Sequence, residues 1–226
     1  MNILELRLFT NELSKQKEFY SNILGLEISS EENSSFKIKI GASKLTFIEN
    51  NSIDNPYYHY AINIPENQIN EAINWLGSKV KLIEYENSPL VNFPNWNAHS
   101  VYYYDACGNI VELIARHNLN NKSDKEFSVK SFLNISEVGM PVENVKDFYN
   151  VLNEKLGEKL WWGNFETFAA IGDEEGLFIV VTSRRNWFPT DKPCKVFPLA
   201  VKIAVKSSLS LPLKYSEYLI TSNISP

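Results

Sequence analysis

The sequence predicts an α+β protein made of tandem βαβββ modules, with curved mixed sheets and the helices outside them. Two observations carry this. A unit of one alternating strand, one amphipathic helix and several further strands recurs along the 226 residues. Within each unit the hydrophobic period changes from two to about 3.6 and back, as a strand–helix–strand order requires.

The first unit spans Ile3 to Ile48. Ile3–Thr10 alternates as a strand, and Asn11–Leu24 follows as a helix with Phe19, Tyr20, Ile23 and Leu24 on one side. Gly25 stands where a helix stops. Gly25–Ser30, Phe36–Ile40 and Lys44–Glu49 then read as strands, and Phe36–Ile40 places lysines on one face and apolar residues on the other.

The second unit opens with a strand at Tyr57–Ile64. Its helix begins at Pro65 and carries Ile69, Ala72, Ile73 and Leu76 at helical spacing. A strand near Val80–Tyr85 precedes a Pro/Asn-rich loop, Asn87–Ala98; strands His99–Tyr104 and Ile110–Ala115 flank the turn Asp105–Gly108. The third unit has a strand at Asn134–Val142, a helix at Glu143–Leu156 ended by Gly157, and strands Phe165–Ile171 and Leu177–Val181 around Gly172–Gly176. Phe197–Val205 looks like the start of a fourth unit, which stays incomplete: no helical pattern follows, only possible strand over Leu209–Leu219. Residues 1–118 are expected to form a domain of two modules, 119–131 a polar linker, and 132–226 the third module with the incomplete fourth.

Composition narrows the function classes. Apolar residues make up 44% of the chain, enough for a sizeable core, and the net charge is -5 with both signs interspersed. No basic run or stripe points to nucleic acid. No stretch is long and apolar enough to span a membrane. Nothing at the N-terminus resembles a targeting segment, and the two cysteines, Cys107 and Cys194, lack metal-like spacing. A reducing cytoplasm is the expected compartment.

Two motifs identify a resemblance. Lys17-Glu-Phe-Tyr20 leads into Leu24-Gly-Leu26, and Asp105-Ala-Cys-Gly-Asn109 leads into Glu112 and Leu113. Together they resemble the vicinal oxygen chelate superfamily of glyoxalases, fosfomycin and bleomycin resistance proteins, and extradiol dioxygenases. The likeness is good over residues 3–116 and looser over 133–205. Physics agrees at the second motif. A turn over Asp105–Gly108 with Gly108 at positive φ pairs Asp105 with Asn109. Tyr102 then lies opposite Glu112, with Ser100 and Tyr104 on the same face.

The resemblance implies metal slots at Glu5, His59 and Glu112, supplied by the first strands of two units and the last strand of the second. One imidazole and two carboxylates suit Mn²⁺, Fe²⁺, Ni²⁺ or Zn²⁺. The pattern departs from the two-His, one-carboxylate set of extradiol dioxygenases. It agrees better with a glyoxalase-like isomerase, an epoxide-opening transferase or a binding protein. The implied function is a metal-dependent lyase, isomerase, transferase or dioxygenase acting on a small oxygen-rich substrate; the alternative is a metal-free protein of the bleomycin resistance type that sequesters a small molecule.

Tyr102 is a candidate catalytic donor opposite Glu112, set against plain sheet packing. His99 is a candidate general base, although the preferred register turns it away from Glu112. Glu137 occupies the first-strand slot of the third unit, but Leu177–Val180 offers no carboxylate to join it, so that unit reads as scaffold. Trp161, Trp162, Trp187 and Phe188 read as packing of that unit, with Arg184 and Arg185 beside Trp187 offering an alternative, an anion site. With its fourth unit incomplete, the third is expected to pack on a second copy, giving a homodimer, or on the first half of the chain.

Overall fold

The computed structural model describes residues 1–205 and 212–224. Module one comprises β1 (Asn2–Thr10), helix α1 (Leu13–Glu18) running into a wider π turn at Phe19–Ile23, and strands β2 (Ile28–Glu32), β3 (Ser35–Ile40) and β4 (Ser43–Glu49). Module two comprises β5 (His59–Ile64), α2 (Ile69–Gly77), the short β6 (Leu82–Ile83) and β7 (Val91–Phe93), and the hairpin β8 (Ala98–Tyr104) and β9 (Ile110–Arg116). Module three has β10 (Asn134–Val142), α3 (Val145–Leu156), β11 (Leu160–Gly163), β12 (Phe168–Asp173) and β13 (Gly176–Thr182). The fourth contributes β14 (Leu199–Val205), β15 (Leu213–Tyr215) and β16 (Tyr218–Ile224). Part of the expected Leu209–Leu219 strand lies outside the described residues.

Local chemistry sets the element ends. The side chain of Asn144 accepts from the Asp147 amide to open α3, and Gly157 closes it at φ 69°. Gly108 sits at φ 76°, its amide donating to the Asp105 carbonyl, while the Asp105 amide donates to the Asn109 carbonyl. The hairpin register follows: Tyr102 pairs with Glu112 and Ser100 with Ile114. The two sequence motifs also touch. The Tyr20 hydroxyl and the Gln16 amide both donate to Oδ2 of the buried Asp105 at 2.8 Å, and Tyr20 meets the hydroxyl of Tyr60. The motif pair is therefore one buried polar network locking α1 and its π turn to the β8–β9 turn.

In every module the last strand lies parallel to the first: β4 on β1, β9 on β5, β13 on β10 and β16 on β14. The first strand would be the module's open edge, and modules join by pairing these edges antiparallel. β1 pairs with β14, and β5 pairs with β10. Two mixed sheets result, seven strands in the order β15-β16-β14-β1-β4-β3-β2 and nine running β11-β12-β13-β10-β5-β9-β8-β6, with β7 on β8. Modules one and two, expected as one two-module domain, do not share a sheet: one pairs with four, and two with three. All four first strands supply apolar residues to the main core, so the hydrophobic pattern alone does not select the partner. Each sheet draws strands from both sides of the 119–131 segment. The third module packs within the chain, the second of the two arrangements expected for it, so the argument for a homodimer from an unpaired third module falls away.

The main core gathers the helices and one face of each sheet, with Phe19, Leu76, Phe148, Tyr60, Leu113, Phe178 and Val201 among its members. The opposite face of the nine-stranded sheet carries a second cluster, including Tyr57, Tyr102, Ile179 and Trp187, and the functional cavity. Among the described residues no helix is long and apolar enough to cross a membrane.

Candidate metal centre

Three neighbouring strands build the floor of that cavity. Ala61 of β5 pairs with Glu112 of β9 on one side and with Glu137 of β10 on the other. Glu112, Ala61 and Glu137 thus form one row across the sheet, and His59 lies two residues along on the same face. Adjacent strands are about 4.8 Å apart, so the two carboxylates reach toward each other over the small Ala61 side chain. The His59, Glu112 and Glu137 donor atoms all lie within 4.8 Å of one another, and all three residues are buried.

Each donor is held from behind. His59 Nδ1 is 3.1 Å from the Ile110 carbonyl oxygen; donating there leaves Nε2 turned to the carboxylates, 3.7 Å from Glu112 and 3.9 Å from Glu137. The Ser100 hydroxyl donates to Glu112. The fully buried Arg116 guanidinium pairs with Glu137 through Nη2, donates from Nε to Asn63 at 3.2 Å, and lies 5.5 Å and 5.8 Å from the ring centres of Trp96 and Trp161. Trp187 lies 5.1 Å from the His59 ring. Gly139 permits this, because a Cβ there would come within 2.5 Å of the indole and 3.0 Å of the His59 carbonyl oxygen.

Electrostatics reflect the crowding. Burial, then the charge of Glu137, pushes the Glu112 carboxyl up to about 7. Burial opposes protonation of His59, but contact with Glu137 and the charges of both carboxylates outweigh it and raise its pKa. Burial and the same two charges push the Tyr102 phenol well above its ordinary range, so it stays a hydrogen-bond donor. Among the described residues Arg116 pairs with Glu137 and not with Glu112, so an ionised Glu112 has no arginine or lysine partner in a buried place. Clustered donors, an imidazole fixed in one tautomer and that unpaired carboxylate all fit a divalent cation.

Of the residues expected from sequence, the structure brings together His59, Glu112 and Tyr102. Glu5 is not with them, because β1 belongs to the other sheet. Its Oε1 accepts from Thr46 at 2.8 Å and lies 3.1 Å from Arg7 Nε and 3.3 Å from Lys37 Nζ. Burial works against its ionisation, but those partners outweigh it and hold the carboxyl below its usual range. The third donor is Glu137, which the sequence reading set aside for want of a partner in its own module; its partners come from module two across the β5–β10 pairing. His99 pairs with Ala115, three residues along from Glu112 and so on the other face, and its Nδ1 contacts His117 Nε2 at 2.8 Å. It does not line the cavity. Arg116 gave no sequence signal beyond ending an apolar strand.

The cavity encloses about 330 Å³ between the floor and a wall of aromatic rings that includes Phe93, Trp96, Trp162, Phe168 and Phe188, with Arg185 also lining it. Ile179 lines it too. Glu137 pairs with Leu177 as His59 pairs with Ile110, so Ile179 is the module-three counterpart of Glu112 and leaves that side without a donor.

No protein-family model matches the chain, and no curated protein matches it. Solved structures do. A putative dioxygenase from Bacillus subtilis superposes with a TM-score of 0.62 at 13% identity, over 90% of this chain and 70% of that one. A mutant of glyoxalase I from Zea mays gives a TM-score of 0.58 at 14% identity, over 89% and 75% of the two chains. Glyoxalase I from Zea mays in a further structure gives 0.53 at 14%, over 89% and 74%. The chain therefore shares the fold of these glyoxalase and dioxygenase structures.

Proposed function

We propose that the chain is a divalent-metal-dependent enzyme of the glyoxalase/dioxygenase type that holds one ion at His59, Glu112 and Glu137 and acts on a small oxygen-rich substrate. The observation that carries this is the convergence of three buried donors at the floor of an aromatic-walled cavity. One imidazole with two carboxylates favours lyase or isomerase chemistry beside a carbonyl over oxygen activation by a two-His, one-carboxylate centre. A divalent ion there supplies Lewis-acid polarisation of a substrate oxygen. The residues of the chain do the rest. Tyr102, a neutral phenol opposite Glu112, donates to a second substrate oxygen. The ring wall offers flat apolar surfaces against which a planar ligand can lie. Arg116 holds Glu137 with one oxygen turned to His59. The free thiols of Cys107 and Cys194 agree with a reducing, cytoplasmic setting.

Calorimetric titration of chelator-treated protein with Mn²⁺, Fe²⁺, Ni²⁺ and Zn²⁺ tests the reading. One ion should bind per chain, and His59→Ala should weaken it by at least ~10-fold. Absence of stoichiometric binding of any of the four ions would refute it. A metal-free protein that sequesters small molecules, in the manner of bleomycin resistance proteins, would then stand in its place.

A further inference from the structure

We infer that the cavity selects a small planar aryl compound carrying an anionic group, and that Arg185 receives that group. The inference deepens the reading above and rests on it for the end of the ligand that faces the metal centre. Arg185 lines the same cavity as His59, Glu112 and Glu137. Its guanidinium lies 5.7 Å from the ring centre of Phe168, and its Nε donates to the Asn186 carbonyl at 3.3 Å. Among the described residues no carboxylate lies within ion-pairing distance of it. The other arginine of the cavity region, Arg116, is already committed to Glu137 and Asn63. Arg185 is thus a cation held on an aromatic face with its terminal nitrogens uncommitted, the arrangement in which a guanidinium accepts a carboxylate or phosphate side-on.

Shape supplies the remainder. Phe93, Trp96, Trp162, Phe168 and Phe188 present flat rings, and about 330 Å³ holds a small ring compound but little more. The ligand these features describe has oxygens at one end, a flat ring in the middle and an anion against Arg185.

The test uses the full chain treated with chelator, so that no probe can bind through a metal. Benzoate, phenyl phosphate, neutral benzamide and ring-free acetate are titrated against wild type and Arg185→Met, with tryptophan fluorescence as the readout. Methionine keeps an apolar stem on Phe168 and removes the charge. In wild type, benzoate or phenyl phosphate should bind at least ~10-fold more tightly than benzamide, about 1.4 kcal/mol, and more tightly than acetate. The tighter of the two anions names the group. Arg185→Met should reduce the preference over benzamide to under ~2-fold while binding metal as wild type does. Equal binding of benzoate and benzamide by wild type, or an unchanged preference in Arg185→Met, would overturn the inference. Metal affinity is measured separately, so loss of the metal reading alone leaves the anion result standing.

Discussion

Glu112→Gln and Glu137→Gln make the same chemical change to two carboxylates facing one imidazole, yet their surroundings demand opposite effects on stability. Glu112 accepts from Ser100, among the described residues makes no ion pair with a lysine or arginine, and is repelled by the charge of Glu137. Glutamine keeps the acceptor for Ser100 and removes the repulsion, so without metal the variant should melt at or above the wild-type temperature above neutral pH. Glu137 is the only carboxylate paired with the fully buried Arg116 among the described residues. Removing one partner of a buried pair costs about 3–5 kcal/mol, and glutamine, which still offers an oxygen, belongs near the lower end. For a chain of this size about 3 kcal/mol lowers the melting temperature by roughly 6–12 °C. Both variants should lose at least ~10-fold in divalent-metal affinity, because each removes a donor. Thermal melts in chelator, paired with calorimetric metal titrations, measure both quantities. Melting shifts of the same sign and size, or wild-type metal affinity in either variant, would refute the charge balance argued for this site.

The other expectations are shorter. Glu5→Gln should leave metal affinity within about twofold of wild type, since Glu5 lies in the other sheet, while lowering stability in urea unfolding through loss of the Arg7 and Lys37 pairings. Without metal, stability should fall as pH rises: the Glu112 carboxyl titrates near 7 in the folded chain against 4.5 when unfolded, so its protonated form favours folding below 4.5 and that contribution is lost by about pH 7. His59, also raised, adds a loss of the same sign at higher pH, and saturating divalent ion should remove or reverse the trend in melts across pH 5–8. Tyr20→Phe deletes one of the donors to buried Asp105 and should cost about 1–3 kcal/mol in urea unfolding, with metal affinity unchanged.

Much of the frame was legible because it is local. Alternation, helical spacing and Gly25, Gly108 and Gly157 each act within a few residues, and all three glycines stand at positive φ as their positions demand. The Tyr102–Glu112 pairing followed from counting back from one turn. What the sequence did not carry was the choice of partner for each module's open edge. Glu137 was visible as a slot but was discarded, because its closing strand offers Leu177 and Ile179 where a carboxylate was sought. Arg116 was invisible for a related reason: a charged residue ending an apolar strand reads as a strand end until the opposing Glu137 is known.

The edge pairing also explains why one of two equivalent positions gathers the donors of a candidate metal centre. In the nine-stranded sheet the central row reads Glu112, Ala61, Glu137, with His59 two residues before Ala61. The matching row in the seven-stranded sheet reads Thr46, Arg7, Ala200, with Glu5 two residues before Arg7. The backbone frame is the same. The charges are inverted: a small neutral residue between two carboxylates in one sheet, a guanidinium between two uncharged residues in the other. Glu5, alone on that second face, is satisfied by Arg7, Lys37 and Thr46 from the chain itself, and nothing there asks for a further cation. On the first face, among the described residues, Glu137 has an arginine partner, Arg116, and Glu112 has none. Exchanging the central residues would test the rule directly. Ala61→Arg should place a built-in cation between Glu112 and Glu137 and lower divalent-metal affinity by well over ~10-fold, whereas Arg7→Ala should create no metal site, because Thr46 and Ala200 supply no donors to join Glu5. Metal bound at wild-type affinity by Ala61→Arg would show that donor geometry, and not the local charge balance, decides which face holds the ion.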